Sequence, residues 1–242
     1  MTEPDPPAPN AGWESHVEEL RRRVIAVLVV FCAATLAAFI FAEDIASFLT
    51  APLARYEVTL HTFAPAEKFV TYMRLAAWTG CVATAPFFLA QTAFFIWPGL
   101  RGRERRYAAL ALVAVPILFA AGAAAAYRLL SPVVFGFFLR FAAADGVTPL
   151  WGFRQYLTLL AGMMLAFGLL LQLPPALLAL FALGVLDPSA VARRRPQIIL
   201  LIFFLAAAAT PPDVLSQLML GIPLYLLFEA TLFIGGRITK KR

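Results

Sequence analysis

Six apolar runs, separated by charged or proline-rich residues, decide what this chain can become. A helix that crosses a bilayer needs roughly 20 apolar residues in succession. Val24–Ala42, Leu75–Trp97, Tyr107–Tyr127 and Tyr156–Leu183 meet that length without a charge, although Pro86, Pro116 and the pair Pro174–Pro175 lie inside three of them. The last two runs, Ile198–Ala209 and Val214–Ile234, are joined by Thr210-Pro211-Pro212-Asp213. Proline cannot continue a helix, and the residue before it is pushed out of the α region. Pro211 and Pro212 therefore make a tight turn there. The stretch from Pro196 to Thr210 spans only about 22 Å at helical rise, against a hydrocarbon core of about 30 Å. The sequence predicts an all-α integral membrane protein of six transmembrane helices, with short helices five and six forming a hairpin that stops short of the far face. Composition agrees: 62% of residues are hydrophobic and 14% charged, where soluble domains carry about 45–50% and about 25%.

Lysine and arginine give the orientation. One set comprises Arg21–Arg23, Arg101, Arg103, Arg105, Arg106, Arg193–Arg195, Arg237, Lys240, Lys241 and Arg242, which is 14 of the 20 basic residues. The other holds the remaining 6: Arg55, Lys68, Arg74, Arg128, Arg140 and Arg154. Six spans with both termini in the cytoplasm satisfy this split and leave 43–72 and 128–155 as the longer outer segments. The net charge of +6 is thus topological, and nucleic acid is not expected as a partner. Residues 1–14, with Pro4, Pro6, Pro7 and Pro9, are expected to be a disordered tail; 15–237 form the membrane domain and 238–242 a basic tail. The first stretch is acidic and has no apolar centre, so it is not a secretory signal. Cys32 and Cys81 lie in apolar runs and are expected to be small buried residues. There is no internal repeat of the kind that builds secondary transporters, and no phosphate-cradling loop, HExxH or Cys/His cluster. Neither an enzyme nor a bound cofactor or metal is indicated.

A few polar residues stand out against this background. Ser15 and Glu18 have capping-box spacing, so a helix is expected to start there. Glu18 can pair with Arg22, and Glu19 with Arg23, at i,i+4. Glu104 is the lone acid among the arginines of 98–106. A face this basic repels a cationic peptide, unless carboxylates such as Glu19 and Glu104 are placed to accept it. Arginine suits such a site because its planar fork matches a carboxylate. Gln172 lies deep in the fourth run, where a polar side chain is expected to face another helix or a cavity. Asp213 is placed to cap helix six, and Glu229, near the cytoplasmic end of that helix, is either interfacial or ion-paired.

Several strings resemble the TatC family: His16-Val17-Glu18-Glu19-Leu20-Arg21, then Phe94-Phe95-Ile96-Trp97-Pro98-Gly99-Leu100 with Glu104-Arg105-Arg106, then Arg193-Arg194-Arg195-Pro196. The closing segment is similar too, with Thr210-Pro211-Pro212-Asp213-Val214-Leu215-Ser216-Gln217 followed by Pro223-Leu224-Tyr225-Leu226-Leu227-Phe228-Glu229. The resemblance covers about 15–237. It implies a concave, glove-like receptor in a bacterial or archaeal-type plasma (inner) membrane. It implies binding of twin-arginine signal peptides of folded proteins, with TatA and TatB (or a bifunctional TatA) as partners in an oligomeric complex. Export is then driven by the proton-motive force, without nucleotide hydrolysis. Glu19, Arg21 and Glu104 fall on family positions linked to signal-peptide recognition, and Phe95 and Pro98 on positions important in the same region. Gln172 falls where many members carry glutamate, so it retains hydrogen bonding but cannot ionise. The rivals are a small secondary transporter, for which a lone midplane glutamine is a poor substrate site, and a permease subunit of an ATP-driven transporter. For the permease, Asp187-Pro188-Ser189 and Arg193–Arg195 would supply a cytoplasmic coupling helix.

Overall fold

The structure, a computed structural model, describes residues 11–56, 58–97, 102–144, 150–209 and 214–240. Five helical segments among them are long and apolar enough to cross a membrane, and a sixth, Arg195–Phe204, is apolar but shorter. The first helix, α1, runs Ala11–Ile40. Its start lies ahead of the Ser15–Glu18 spacing at which a helix is expected to begin. No proline follows Pro9 to stop the helix, and Glu18 and Glu19 lie toward its positive N-terminal end. Residues 11–14 of the expected tail are thus helical.

A short helix, α2 (Ala42–Thr50), and a 3-10 turn (Ala51–Tyr56) lead to a two-residue strand, β1 (Leu60–His61), and then to α3 (Glu67–Ile96). α3 packs along α1. The contact is close enough that a Cβ on Gly80 would sit 2.3 Å from the Thr35 hydroxyl and 2.9 Å from its backbone. Small residues permit this approach, which is how helices bind each other in lipid.

α4 begins at Arg103 and ends at Ala125. The chain does not then loop out, as the run Tyr107–Tyr127 suggests. It passes through a π turn (Ala126–Leu130) into α5 (Ser131–Ala144). Pro132 has no N–H, and its ring would collide with the carbonyl one turn back; a π turn relieves such a conflict without ending the helix. The Ser131 N–H reaches back to the Ala126 carbonyl. The displaced Tyr127 carbonyl takes the buried Ser131 hydroxyl instead, at 2.6 Å.

The far end of the molecule is tied by tyrosines. Tyr127 donates to the Phe48 carbonyl at 2.7 Å and Tyr156 to that of Leu49 at 3.0 Å, both at the end of α2. Tyr56 donates to the Pro132 carbonyl at 3.0 Å. β1 pairs in parallel with β2 (Trp151–Gly152), which joins the two segments expected outside the membrane.

α6 (Phe153–Leu170) and α7 (Leu173–Leu183) make the fourth span, with a turn between them. The break falls just before Pro174–Pro175. These prolines occupy the first turn of α7, where missing N–H groups cost nothing. Gly184 ends α7 at φ 78°, a left-handed conformation that glycine adopts without strain. α8 (Pro188–Arg193) follows, then α9 (Arg195–Ala209) and α10 (Val214–Lys240). α9 has 15 residues and α10 has 27. Arg195, which begins α9, is level with Glu229 of α10, so the extra length of α10 projects past the hairpin at its C-terminal end. The turn residues Thr210, Pro211, Pro212 and Asp213 lie outside the described residues, as do Pro98 and Arg101. One buried cluster joins Phe167, Phe181, Ile202, Leu224 and Phe228; another joins Leu49, Leu75, Phe135, Leu157 and Leu160. Beside the second cluster an apolar hollow of about 230 Å³ is bordered by Phe48 of α2, Trp78 and Val82 of α3, Phe119 of α4, and Met164 of α6.

Candidate functional site

The start of α1, the end of α3 and the start of α4 lie at one end of the bundle, opposite the tyrosine-tied cap. Glu19 of α1 accepts from Arg23 one turn on. Its Oε1 receives Nε at 3.1 Å and Nη2 at 2.5 Å, while Arg23 Nη1 donates to Gln91 Oε1 of α3 at 2.9 Å. The i,i+4 spacing supplies the first contact, and the packing of α1 on α3 supplies the second. Glu18, by contrast, forms no ion pair with Arg22 among the described residues. Arg21 is exposed. With Glu18, Glu19, Arg22 and Ile25 it borders an open groove of about 480 Å³. Phe95 lies edge-on to His16, ring centroids 6.4 Å apart. It lines a second, apolar groove of about 180 Å³ with Leu20, Val24, Val27, Leu28 and Phe88, and Arg23 and Gln91 border it too. Glu19 and Arg21 thus border one groove and Phe95 another, and Arg23, the ion-pair partner of Glu19, lines the second.

Glu104 sits in the first turn of α4, exposed. The adjacent Arg105 guanidinium lies over the Trp97 ring at 5.9 Å, a cation–π contact that pins the start of α4 to the end of α3. Glu19 and Glu104 thus sit on helices that both pack on α3.

Gln172 lies in the turn between α6 and α7. Its amide nitrogen donates to the Val115 carbonyl of α4 at 3.0 Å and to that of Gly168 at 3.1 Å. Two carbonyl neighbours fix which end of the amide is nitrogen. The oxygen, Oε1, is enclosed and has no hydrogen-bond partner. The donor side therefore holds α4 against the fourth span, where a Cβ on Gly122 would sit 2.6 Å from the Phe167 carbonyl. On that side Gln172 faces α4.

At the same end as Glu19, Glu229 is ion-paired rather than merely interfacial. Arg195 meets it through a fork, Nε to Oε1 at 2.7 Å and Nη2 to Oε2 at 3.0 Å, and the Tyr225 hydroxyl adds a third bond at 3.1 Å. This network closes the open end of the α9–α10 hairpin. Nearby, Asp187 caps α8, accepting from the Ser189 N–H at 3.1 Å and from its hydroxyl. These bonds hold the Asp187 carboxyl below its ordinary range. A short helix does form where the permease alternative needs one, but it packs on α10 of its own chain.

Two residues escaped sequence reasoning. Glu67 is only 4% exposed. Its Oε2 accepts from the Phe63 and Ala64 N–H groups at 2.7 and 3.2 Å, and Arg154 Nε stands 3.8 Å from its Oε1. It anchors the loop before α3 to the start of α6. The order Pro65-Ala66-Glu67 ahead of an apolar helix was the available signal. Gln91 was equally visible as a polar residue inside an apolar run. Among the described residues no group of His, Cys, Asp and Glu is arranged to hold a metal ion.

Comparison with known proteins gives one answer. Residues 15–223 match the family model for the Sec-independent protein translocase protein (TatC). The chain is 35% identical to the TatC of Azotobacter chroococcum mcd 1, covering 93% of this chain and 89% of that one. It is 34% identical to the TatC of Escherichia coli K12, over 90% of this chain and 86% of that one. It also resembles a crystal structure of the twin-arginine translocase receptor TatC, with a TM-score of 0.82 and 31% identity, over 93% of this chain and 99% of that one.

Proposed function

This chain belongs to the TatC family, and is therefore a multi-pass membrane subunit of the Sec-independent protein translocase, a transport component and not an enzyme; on that premise we propose that it is the receptor for twin-arginine signal peptides. The observation that carries the proposal is Glu19, a carboxylate on an open groove. Its ion-pair partner Arg23 lines an apolar groove together with Leu20, Val24, Phe88 and Phe95. A twin-arginine signal has that same order, guanidinium groups followed by an apolar stretch.

Exposed ion pairs are individually weak, so Glu19 and Glu104 act as a selective filter rather than as the main source of affinity. Arginine offers a planar fork and lysine a point charge, so the filter favours Arg-Arg. The apolar stretch supplies the rest as it leaves water, at about 25 cal/mol per Å². Arg21 and Phe95, one on each groove, are further contacts in this reading, as is Pro98, which lies outside the described residues. Both termini lie in the cytoplasm of a plasma-membrane protein, and TatA and TatB, or a bifunctional TatA, assemble with it for export driven by the proton-motive force. Gln172, half-buried in the turn between α6 and α7, is the polar residue within the bilayer proposed to contact a partner helix.

Charge reversal tests the assignment. Glu19→Lys combined with Glu104→Lys should abolish binding of a twin-arginine peptide and export of its cargo, while the protein still inserts and purifies as the wild type does. Peptide binding at wild-type strength by this variant removes both carboxylates from the mechanism.

A further inference from the structure

The Glu19 carboxylate is not empty. Arg23 spends two N–H groups on its Oε1 and a third on Gln91 Oε1, so that one guanidinium bridges two helices. The other oxygen, Glu19 Oε2, accepts no hydrogen bond among the described residues, and the Glu19 side chain is 31% exposed. The carboxylate therefore presents one occupied edge and one open edge. Arg23 is the less accessible partner, at 20%, and lines the apolar groove beside Phe88 and Phe95.

We infer that Arg23 is a built-in competitor for the signal peptide: it fills, with the same chemical group, half of the carboxylate that an incoming arginine needs, and Gln91 holds it aside when it is displaced. The inference rests on the assignment of Glu19 as a signal-peptide contact. An arriving guanidinium can engage Oε2 first and then take Oε1, as Arg23 withdraws onto the Gln91 amide. An arginine-for-arginine exchange replaces each charge-assisted bond with one of the same kind. A resident competitor divides the affinity of every cationic ligand by the same factor. It leaves the preference for Arg-Arg over Lys-Lys unchanged but raises the affinity that any signal must reach. It also keeps a carboxylate beside an apolar groove from standing unpaired.

Arg23→Lys tests this without changing the charge. Lysine keeps the cation but loses the fork, so it competes less well. Full-length protein in nanodiscs would be titrated with fluorescent peptides that differ only in carrying Arg-Arg or Lys-Lys. Arg23→Lys should bind both about two- to fivefold more tightly, the range of a weak exposed pair, with the ratio between them unchanged. Arg237→Lys, on α10 and outside both grooves, should show no gain. In a Glu19→Gln background the gain from Arg23→Lys should vanish. Equal behaviour of Arg23→Lys and Arg237→Lys, weaker binding by Arg23→Lys, or a changed ratio would each overturn the competitor role. If Glu19→Gln alone binds both peptides as wild type does, the Glu19 assignment fails, and the inference falls with it.

Discussion

At the scale of single residues, polar groups in an apolar chain are few, and several of them join two elements. Arg23 ties α1 to α3 through Gln91, Gln172 ties the fourth span to α4, and Arg195 ties α9 to α10 through Glu229. Hydrogen bonds between helices in a membrane are individually modest, about 0.6 to 2 kcal/mol. Gln172→Leu should therefore lower stability in detergent by about 1 kcal/mol, read as a small drop in the unfolding midpoint, and should weaken association with partner helices without unfolding the protein. Unchanged stability would mean that its two carbonyl contacts carry no weight. Some of these joints could be read from spacing, and some could not. Glu19 and Arg23 are one helical turn apart, so their contact follows from sequence alone. Gln91 was visible as a polar residue in an apolar run, but its partner is 68 positions away, and only packing decides that. Glu67 accepts backbone groups of an irregular loop, and no periodicity announces such a bond.

At the scale of elements, the six apolar runs appear as helices because lipid leaves a spanning backbone little alternative. Their ends were harder to foresee. α1 extends back to Ala11 because nothing after Pro9 interrupts it. The third span runs on through a π turn because that turn absorbs Pro132, a local accommodation that no hydropathy pattern encodes. The interfaces between helices depend on glycine in particular places. At Gly80 an added methyl would lie within 3 Å of the Thr35 backbone, whereas at Gly236 it would meet nothing within 4 Å. Gly80→Ala should therefore destabilise the α1–α3 pair by about 1–3 kcal/mol, and Gly236→Ala should be neutral or slightly stabilising, since alanine favours helix. Thermal unfolding of the two purified variants checks this; equal midpoints would mean that α1 and α3 are not so tightly apposed.

At the scale of the whole molecule, one end is sealed and the other is polar. Tyrosines, Glu67 and the β1–β2 pair close the first; Glu19, Glu104, Arg195 and Glu229 mark the second. From the distribution of basic residues we propose that the polar end faces the cytoplasm. With Cys32 and Cys81 replaced by serine, a membrane-impermeant thiol reagent added outside intact cells should label a cysteine at Leu60 and spare one at Gly102. Labelling at Gly102 would invert the molecule.

The central claim is that the polar end receives a twin-arginine peptide at Glu19. The most direct measurement is photo-crosslinking from a probe that replaces Leu20 or Phe95, beside the carboxylate and along the apolar groove. A twin-arginine signal peptide should crosslink at both positions, and competing unlabelled Arg-Arg peptide should suppress the product while Lys-Lys peptide does so poorly. Crosslinks that ignore the competing Arg-Arg peptide, or that form only from probes at the tyrosine-tied end, would contradict the account.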